Sequence, residues 1–461
     1  DLRVEDEAPV RAWPERMDSP DDQPLGVEDR AGDHLRKDVP QFMTTDPAAP
    51  TRITDWDQPW LPMPLRLFNA VADWPTRHLV KLDLDSVLAD ARKKSGLEDF
   101  GDEHFLEPLG VLLKALRSEA PLSPFGRLVS RHFIVQMLVG RLRLEDLYRQ
   151  HPQIADEVIA EPIIVAGLPR TGTTHLFNLL AQHPALRWIP YWESLEPIPD
   201  PNEKPGKDGR DPRIKRAEGT LKFLEWIMPL FNAMHEFTPE GPHEEIQLLA
   251  MDFTSVLFES SWHIPSYSAW YKQADRRPAY AFLKRSLQAL QFLNRKERWL
   301  LKTPEHLMNL GPLVETFPDA TFVQTHRDPV RITASLTVMI AYGSRMQQSG
   351  VDPREVARYW SSRTEDFLRA SVEDRHLLPA SQVIDVHFEE FMANMKGTVR
   401  RIWEQAGLPF TADVDGALDR FLADNPKGKH GVVDYRLEDL GVSPEERRRA
   451  LAFYSERFGV S

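Results

Sequence analysis

The sequence predicts a three-layer α/β fold, a central parallel sheet flanked by helices, with a helical region ahead of it. Three observations carry this. Short, nearly continuous apolar runs recur after residue 160. Helical stretches separate them, as parallel pairing requires. The first run, "PIIVAG", ends in a glycine- and threonine-rich turn that opens directly into "TGTTHLFNLLAQH".

In chain order, residues 1–60 are rich in Asp, Pro and Arg with little periodicity, and read as an extended or partly disordered arm. Residues 61–160 turn helical: "PLGVLLKALRSEA" and "RHFIVQMLVGRLRLEDLYRQH" repeat apolar residues at three- and four-residue spacings. Residues 161–461 form the α/β domain. Its strands are expected at "PIIVAG", "RWLLKT" (298–303), "ATFVQTHR" (320–327) and "QVIDVHF" (382–388). Helices are expected at "EHLMNLGPLVETF" and "PVRITASLTVMIAYG". An insertion at about 200–295 opens with a polar, turn-rich stretch, 196–215, read as a surface loop. It continues into an aromatic-rich segment, 221–271, read as mostly helical.

Composition narrows the chemistry. The chain has 461 residues and a formal net charge of −13, a poor match for sequence-independent nucleic-acid binding. An anionic ligand must meet a local basic site instead of a global field. No cysteine is present, which removes disulfides, zinc-thiolate sites and thiol catalysis. No apolar run is long enough to span a bilayer and no leader pattern is visible, so a cytoplasmic location is expected.

The turn at 166–174, "AGLPRTGTT", has the glycine spacing of a phosphate-binding loop but Thr173 where that loop carries lysine. A turn of this kind presents backbone N–H groups and a helix dipole to an anion; Gly172 lets the backbone approach closely, and Thr173 and Thr174 add hydroxyls. The arrangement for the β- and γ-phosphates of a triphosphate is missing, as is a strand ending in a magnesium-binding Asp. A second element lies in "FVQTHRDPVRITASL". Arg327 ends an apolar strand, Asp328 and Pro329 suit the start of a helix, and Ser335 follows about two turns in. An Arg beside a Ser can hold a second phosphate by a charged fork and a hydroxyl. The bland alternatives are a plain glycine turn and an Arg paired with Asp328.

Together, "LPRTGTT" and "THRDPVRITAS" resemble the two nucleotide motifs of the sulfotransferases that use 3′-phosphoadenosine 5′-phosphosulfate (PAPS). The intervening "LLKTPEHLMNLGPLVETFPDATFVQTHRDP" is similar to the bacterial and tyrosylprotein branches, where a Lys-x-Pro follows a strand. The resemblance covers roughly 161–442 and implies a P-loop-type fold, transfer of a sulfuryl group from PAPS to a hydroxyl, and no metal. It implies that Arg170, Thr171, Gly172, Thr173 and Thr174 bind the 5′-phosphosulfate, and that Arg327 and Ser335 bind the 3′-phosphate. Lys302 matches the lysine that stabilises the leaving oxygen, with Arg170 beside it.

For the general base, Glu193 in "IPYWESLEP" is the first choice, near where the tyrosylprotein branch carries its own. The second is "EGPHEEIQLL", with His243, Glu244 and Glu245, since the cytosolic branch uses a His. Carboxylates there are equally ordinary helix-start residues. The basic patch "NPKGKHG" offers Lys427, Lys429 and His430 to close over the 3′-phosphate, or forms a solvated loop. The aromatics of 221–271 suggest an apolar or phenolic acceptor, a small molecule or a lipid hydroxyl, if part of that segment covers the site; otherwise they are core. The competing functions are a P-loop kinase, which would need magnesium and a triphosphate, and a nucleotide-binding protein that turns nothing over.

Overall fold

The computed structural model describes residues 51–235, 237–295, 298–426 and 433–461. The expected N-terminal arm lies almost wholly outside them. The described residues hold seven strands: β1 (Ile163–Ala166), β2 (Leu186–Arg187), β3 (Ile189–Pro190), β4 (Pro242–His243), β5 (Arg298–Lys302), β6 (Thr321–His326) and β7 (Val383–His387). Five form an all-parallel sheet in the order β2-β5-β1-β6-β7, and β3 pairs antiparallel with β4. The four strands expected from apolar runs appear with their ends shifted by a residue or two.

Strand β1 shows why a continuous apolar run is needed. Its four residues are all buried, and successive side chains point to opposite faces. Ile163 and Val165 pack with Leu176, Phe177, Leu300 and Trp403. Ile164 and Ala166 belong to a larger core that takes in Leu112, Ile134 and Leu138 of the N-terminal helices. Each fully buried aliphatic side chain contributes roughly 1.5–3 kcal/mol, so both faces stabilise the central strands.

The N-terminal helices include Leu106–Ser118 and the 27-residue Pro124–Gln150. The latter starts where Ser123 accepts from the Gly126 amide and Pro124 takes the first helical position. Among the described residues, no helix is long and apolar enough to cross a membrane.

The insertion departs from expectation in two places. A helix, Pro212–Ile227, begins inside the stretch read as loop: Asp211 accepts from the Arg213 amide and Pro212 opens the helix. The Asp-Pro pair is a helix start, not a turn. The aromatic segment is indeed largely helical, but in short pieces (Phe231–Met234, Ile246–Ala250, Val256–Ser261, Pro265–Tyr271) interrupted by β4.

Candidate active site

Parallel strands end on the same edge of a sheet, and three of them deliver the motif residues there. Strand β1 runs into the glycine loop, β5 ends on Lys302, and β6 is followed by Arg327. Register sets Val165 beside Lys302 and Ala166 beside Gln324.

The loop is tightly built. A Cβ on Gly167 would lie 1.9 Å from the Thr325 hydroxyl, so no larger residue fits. Thr171 Oγ1 donates to the Leu168 carbonyl (2.7 Å) and lies 2.6 Å from Thr325 Oγ1. Gly172 has φ 84° and Arg170 has φ 74°, which fold the chain sharply into the helix Thr173–Leu180. Among the described residues no side chain caps that helix, and uncapped first amides are suited to an anion. Arg170 donates to the Met234 carbonyl (2.8 Å) and lies 5.3 Å over the Tyr435 ring.

Arg327 donates to the carbonyl of Arg170 (2.7 Å) and stacks 3.8 Å over Phe388. Among the described residues, its Nε and the Ser335 hydroxyl are both buried without a hydrogen-bond partner. Unpaired buried donors are costly, and two of them on adjoining elements point to a ligand. Burial first, then the Arg170 and Arg331 charges, pull Arg327 below the ordinary arginine value. Asp328 caps the following helix through the Val330 amide (3.0 Å) and leaves Arg327 unpaired. These residues fit a nucleotide phosphorylated at two positions.

Lys302 is buried, its ammonium 2.5 Å from Glu244 Oε1 and 5.6 Å from the Phe177 ring centroid. Its backbone N–H donates to Glu245 Oε2 (2.8 Å), and Glu245 Oε1 lies 2.6 Å from His306 Nε2. His306 Nδ1 meets the Tyr280 hydroxyl at 2.8 Å. Three residues past Lys302, Glu305 reaches back into the insertion. It accepts from the Ser255 hydroxyl (2.6 Å), the Tyr271 hydroxyl (2.8 Å) and the Val256 amide (3.3 Å). Burial pushes its carboxyl up to about 7. Two buried carboxyl groups thus sew the end of β5 to the insertion, one from each side.

The base candidates divide. Glu193 is buried, with both oxygens 3.1 Å from Arg187 Nη2, and Arg187 stacks 4.3 Å over Trp299. The β3–β4 pair sets Ile189 opposite His243. His243 is buried against Tyr191 (4.9 Å between centroids) and Phe237 (5.3 Å). Burial, then the His235 and Lys302 charges, push it well below the ordinary histidine value. His243, Glu244, Glu245 and Lys302 are therefore neighbours, while Glu193 is held by Arg187. Lys427, Lys429 and His430 lie outside the described residues.

The aromatics also split. Phe253, Phe258, Trp262, Tyr267 and Tyr271 are core. Phe231, His235 and Phe237 form a stack of half-buried, nearly parallel rings that continues to His243 and Tyr191. Sequence reasoning did not single out Phe388 or Tyr435, which face the two arginines. Phe388 carried a signal, since it stands directly after β7 at the same sheet edge.

Residues 162–412, more than half of the chain, match the Sulfotransferase family. The chain belongs to that family. It transfers a sulfuryl group from PAPS to a small-molecule hydroxyl acceptor. The sulfotransferase is 23% identical over 313 residues to the omega-hydroxy-beta-dihydromenaquinone-9 sulfotransferases Stf3 of Mycobacterium bovis and Mycobacterium tuberculosis, covering 64% of this chain and 74% of theirs. Its fold is similar to the crystal structure of sulfotransferase STF1 from Mycobacterium tuberculosis, with TM-score 0.71 and 29% identity over 80% of this chain and 98% of that one. It is also similar to STF9 from Mycobacterium avium, with TM-score 0.73 and 26% identity over 83% and 98%.

Proposed function

We propose that this sulfotransferase acts on an apolar or phenolic hydroxyl compound, and that His243 takes the acceptor proton. The observation that carries the proposal is the half-buried ring stack of Phe231, His235 and Phe237, which runs up to a buried, neutral His243 beside Lys302. Such a wall suits an apolar body, and a neutral imidazole suits a departing proton. The mycobacterial relatives are named for a hydroxylated menaquinone, which agrees with this class.

PAPS supplies the sulfuryl group from its phosphosulfate anhydride. The loop amides, Arg170, Thr171, Thr173 and Thr174 hold the 5′ end, with Gly172 making room. Arg327 Nε and Ser335 Oγ hold the 3′-phosphate. Lys302 sits where charge grows on the leaving oxygen, and fixed cations there stabilise the transition state. Glu244 keeps the ammonium in place, and Glu245 with His306 positions the strand end that carries it. Glu193 is better suited to a structural ion pair with Arg187 than to proton transfer, because losing its partner would bury a lone charge.

An acceptor series tests the reading. For n-alkanols, kcat/KM should rise by about fourfold per added methylene until the wall is filled, the equivalent of roughly 0.8 kcal/mol each. A preference for a sugar or for a peptide tyrosine over every apolar alcohol would refute it. Chelating divalent metal should leave turnover unchanged.

A further inference from the structure

Nine large apolar side chains are exposed among the described residues, and five of them fall within 63–79. Met63 (56%), Leu67 (60%), Val71 (77%) and Trp74 (70%) follow at spacings of four, four and three residues, one stripe along the helices Met63–Val71 and Asp73–Leu79. Leu79 (78%) is exposed at the end of the second helix. Contiguous exposed apolar surface of this kind marks an interaction site.

The stripe has cations beside it. Residues 63–81 hold Arg66, Arg77 and Lys81 against Asp73 alone, in a chain whose net charge is −13. Arg77 pairs with Asp73, while Arg66 and Lys81 are exposed and have no ion pair among the described residues. Apolar residues and a tryptophan, bordered by free Lys and Arg, form the pattern of a helix lying in a bilayer interface, where long cationic side chains reach the headgroups. Local positive charge complements anionic lipid and would repel a basic partner.

The inner face of the same element ties it to the catalytic region. Leu65 packs in one cluster with Leu230, Met234 and Val330. Asn69 accepts from the Phe125 amide (3.0 Å), and Phe125 meets the exposed Phe223 at 5.7 Å between centroids. The stripe therefore backs the segment carrying the ring stack.

We infer that residues 63–81 form a docking surface for an anionic lipid bilayer, with the apolar stripe inserted into the interface and Arg66 and Lys81 at the headgroups. The inference goes beyond the acceptor reading and does not depend on it, because binding is measured without acceptor or donor.

The test is co-sedimentation of the full chain with vesicles of phosphatidylcholine, alone or mixed with phosphatidylglycerol. The expected result is partition onto the mixed vesicles that weakens as salt is raised. Leu67→Glu with Trp74→Glu should lower that partition about tenfold or more. Arg66→Glu with Lys81→Glu should abolish the advantage of anionic over neutral vesicles. Unchanged binding of adenosine 3′,5′-bisphosphate would show both variants folded. The inference falls if the parent protein stays in the supernatant, or if Leu67→Glu with Trp74→Glu sediments like the parent. It also falls if light scattering finds the parent dimeric and that variant monomeric, which would assign the stripe to a second copy.

Discussion

Lys302 and Arg327 stand at the ends of buried parallel strands, whereas His243 stands in a two-residue strand and Phe231 in a single helical turn. The donor side of the site inherits its geometry from a sheet whose register is fixed on both neighbours of β1. The acceptor side is assembled from short helical pieces held by side chains: Arg187 on Glu193, Glu245 on the end of β5, Glu305 on Ser255 and Tyr271. The difference teaches where each property resides. On the proposed reading, nucleotide recognition lies in the scaffold and acceptor choice in the inserted parts, which meet it at Lys302.

Five substitutions sharpen or break this division. The largest effect is expected from Lys302→Ala: turnover should fall about 10²–10³-fold. Affinity for adenosine 3′,5′-bisphosphate by calorimetry should move little. Equal losses in both would make Lys302 a binding residue and blur the two sides.

His243→Ala should follow, with about a hundredfold loss in kcat. Because His243 is held below the ordinary histidine value, it is already neutral in mildly acidic solution. The acid limb of the parent's kcat profile should therefore lie below about pH 6.5, and it should vanish in the variant. Glu193→Gln should leave that limb in place while lowering the unfolding temperature. A limb that moves with Glu193 instead would return the base role to the carboxylate.

Arg327→Ala should weaken adenosine 3′,5′-bisphosphate about tenfold to a hundredfold, the value of a charged hydrogen bond, and leave adenosine 5′-monophosphate unaffected. Equal losses for both nucleotides would show that Arg327 supports the loop through the Arg170 carbonyl and does not read the 3′ end.

The smallest effect concerns the seam. Glu305 has its folded value raised to about 7, so the folded state holds a proton that the unfolded chain releases near the usual 4.5. Its contribution is complete below that unfolded value and is lost as pH rises through about 7. The Glu305→Gln variant should therefore gain on the parent in thermal unfolding between pH 5 and 8, by a few degrees. A constant difference across that range would mean that the carboxyl is ionised in the fold.

The same division decides what could be read in advance. The strands were legible, as were the places of the glycine loop, Lys302 and Arg327 at their ends, because buried parallel strands write continuous apolar runs and their ends follow directly in sequence; the roles proposed for these residues came from the resemblance. The insertion has no such grammar. Nothing local indicates that Pro190 and Pro242 pair, that Arg187 claims Glu193, or that Glu244 meets Lys302 across 58 positions. The ten aromatics of 221–271 could not be sorted either, since a ring that lines a site and a ring that fills a core share the same spacing. The helix begun by Asp211 was hidden for a related reason: Asp-Pro opens turns and helices alike.

The bond from Arg327 to the carbonyl of Arg170 has one more effect. It ties the Arg327 guanidinium to the backbone of the glycine loop, while the Arg170 guanidinium is tied to the Met234 carbonyl, so each cation is braced by main chain. On the proposed reading, a nucleotide is then measured by the span between its two anionic ends. An isomer with the second phosphate on the neighbouring 2′ oxygen carries the same charge and the same base, and is expected to bind more weakly.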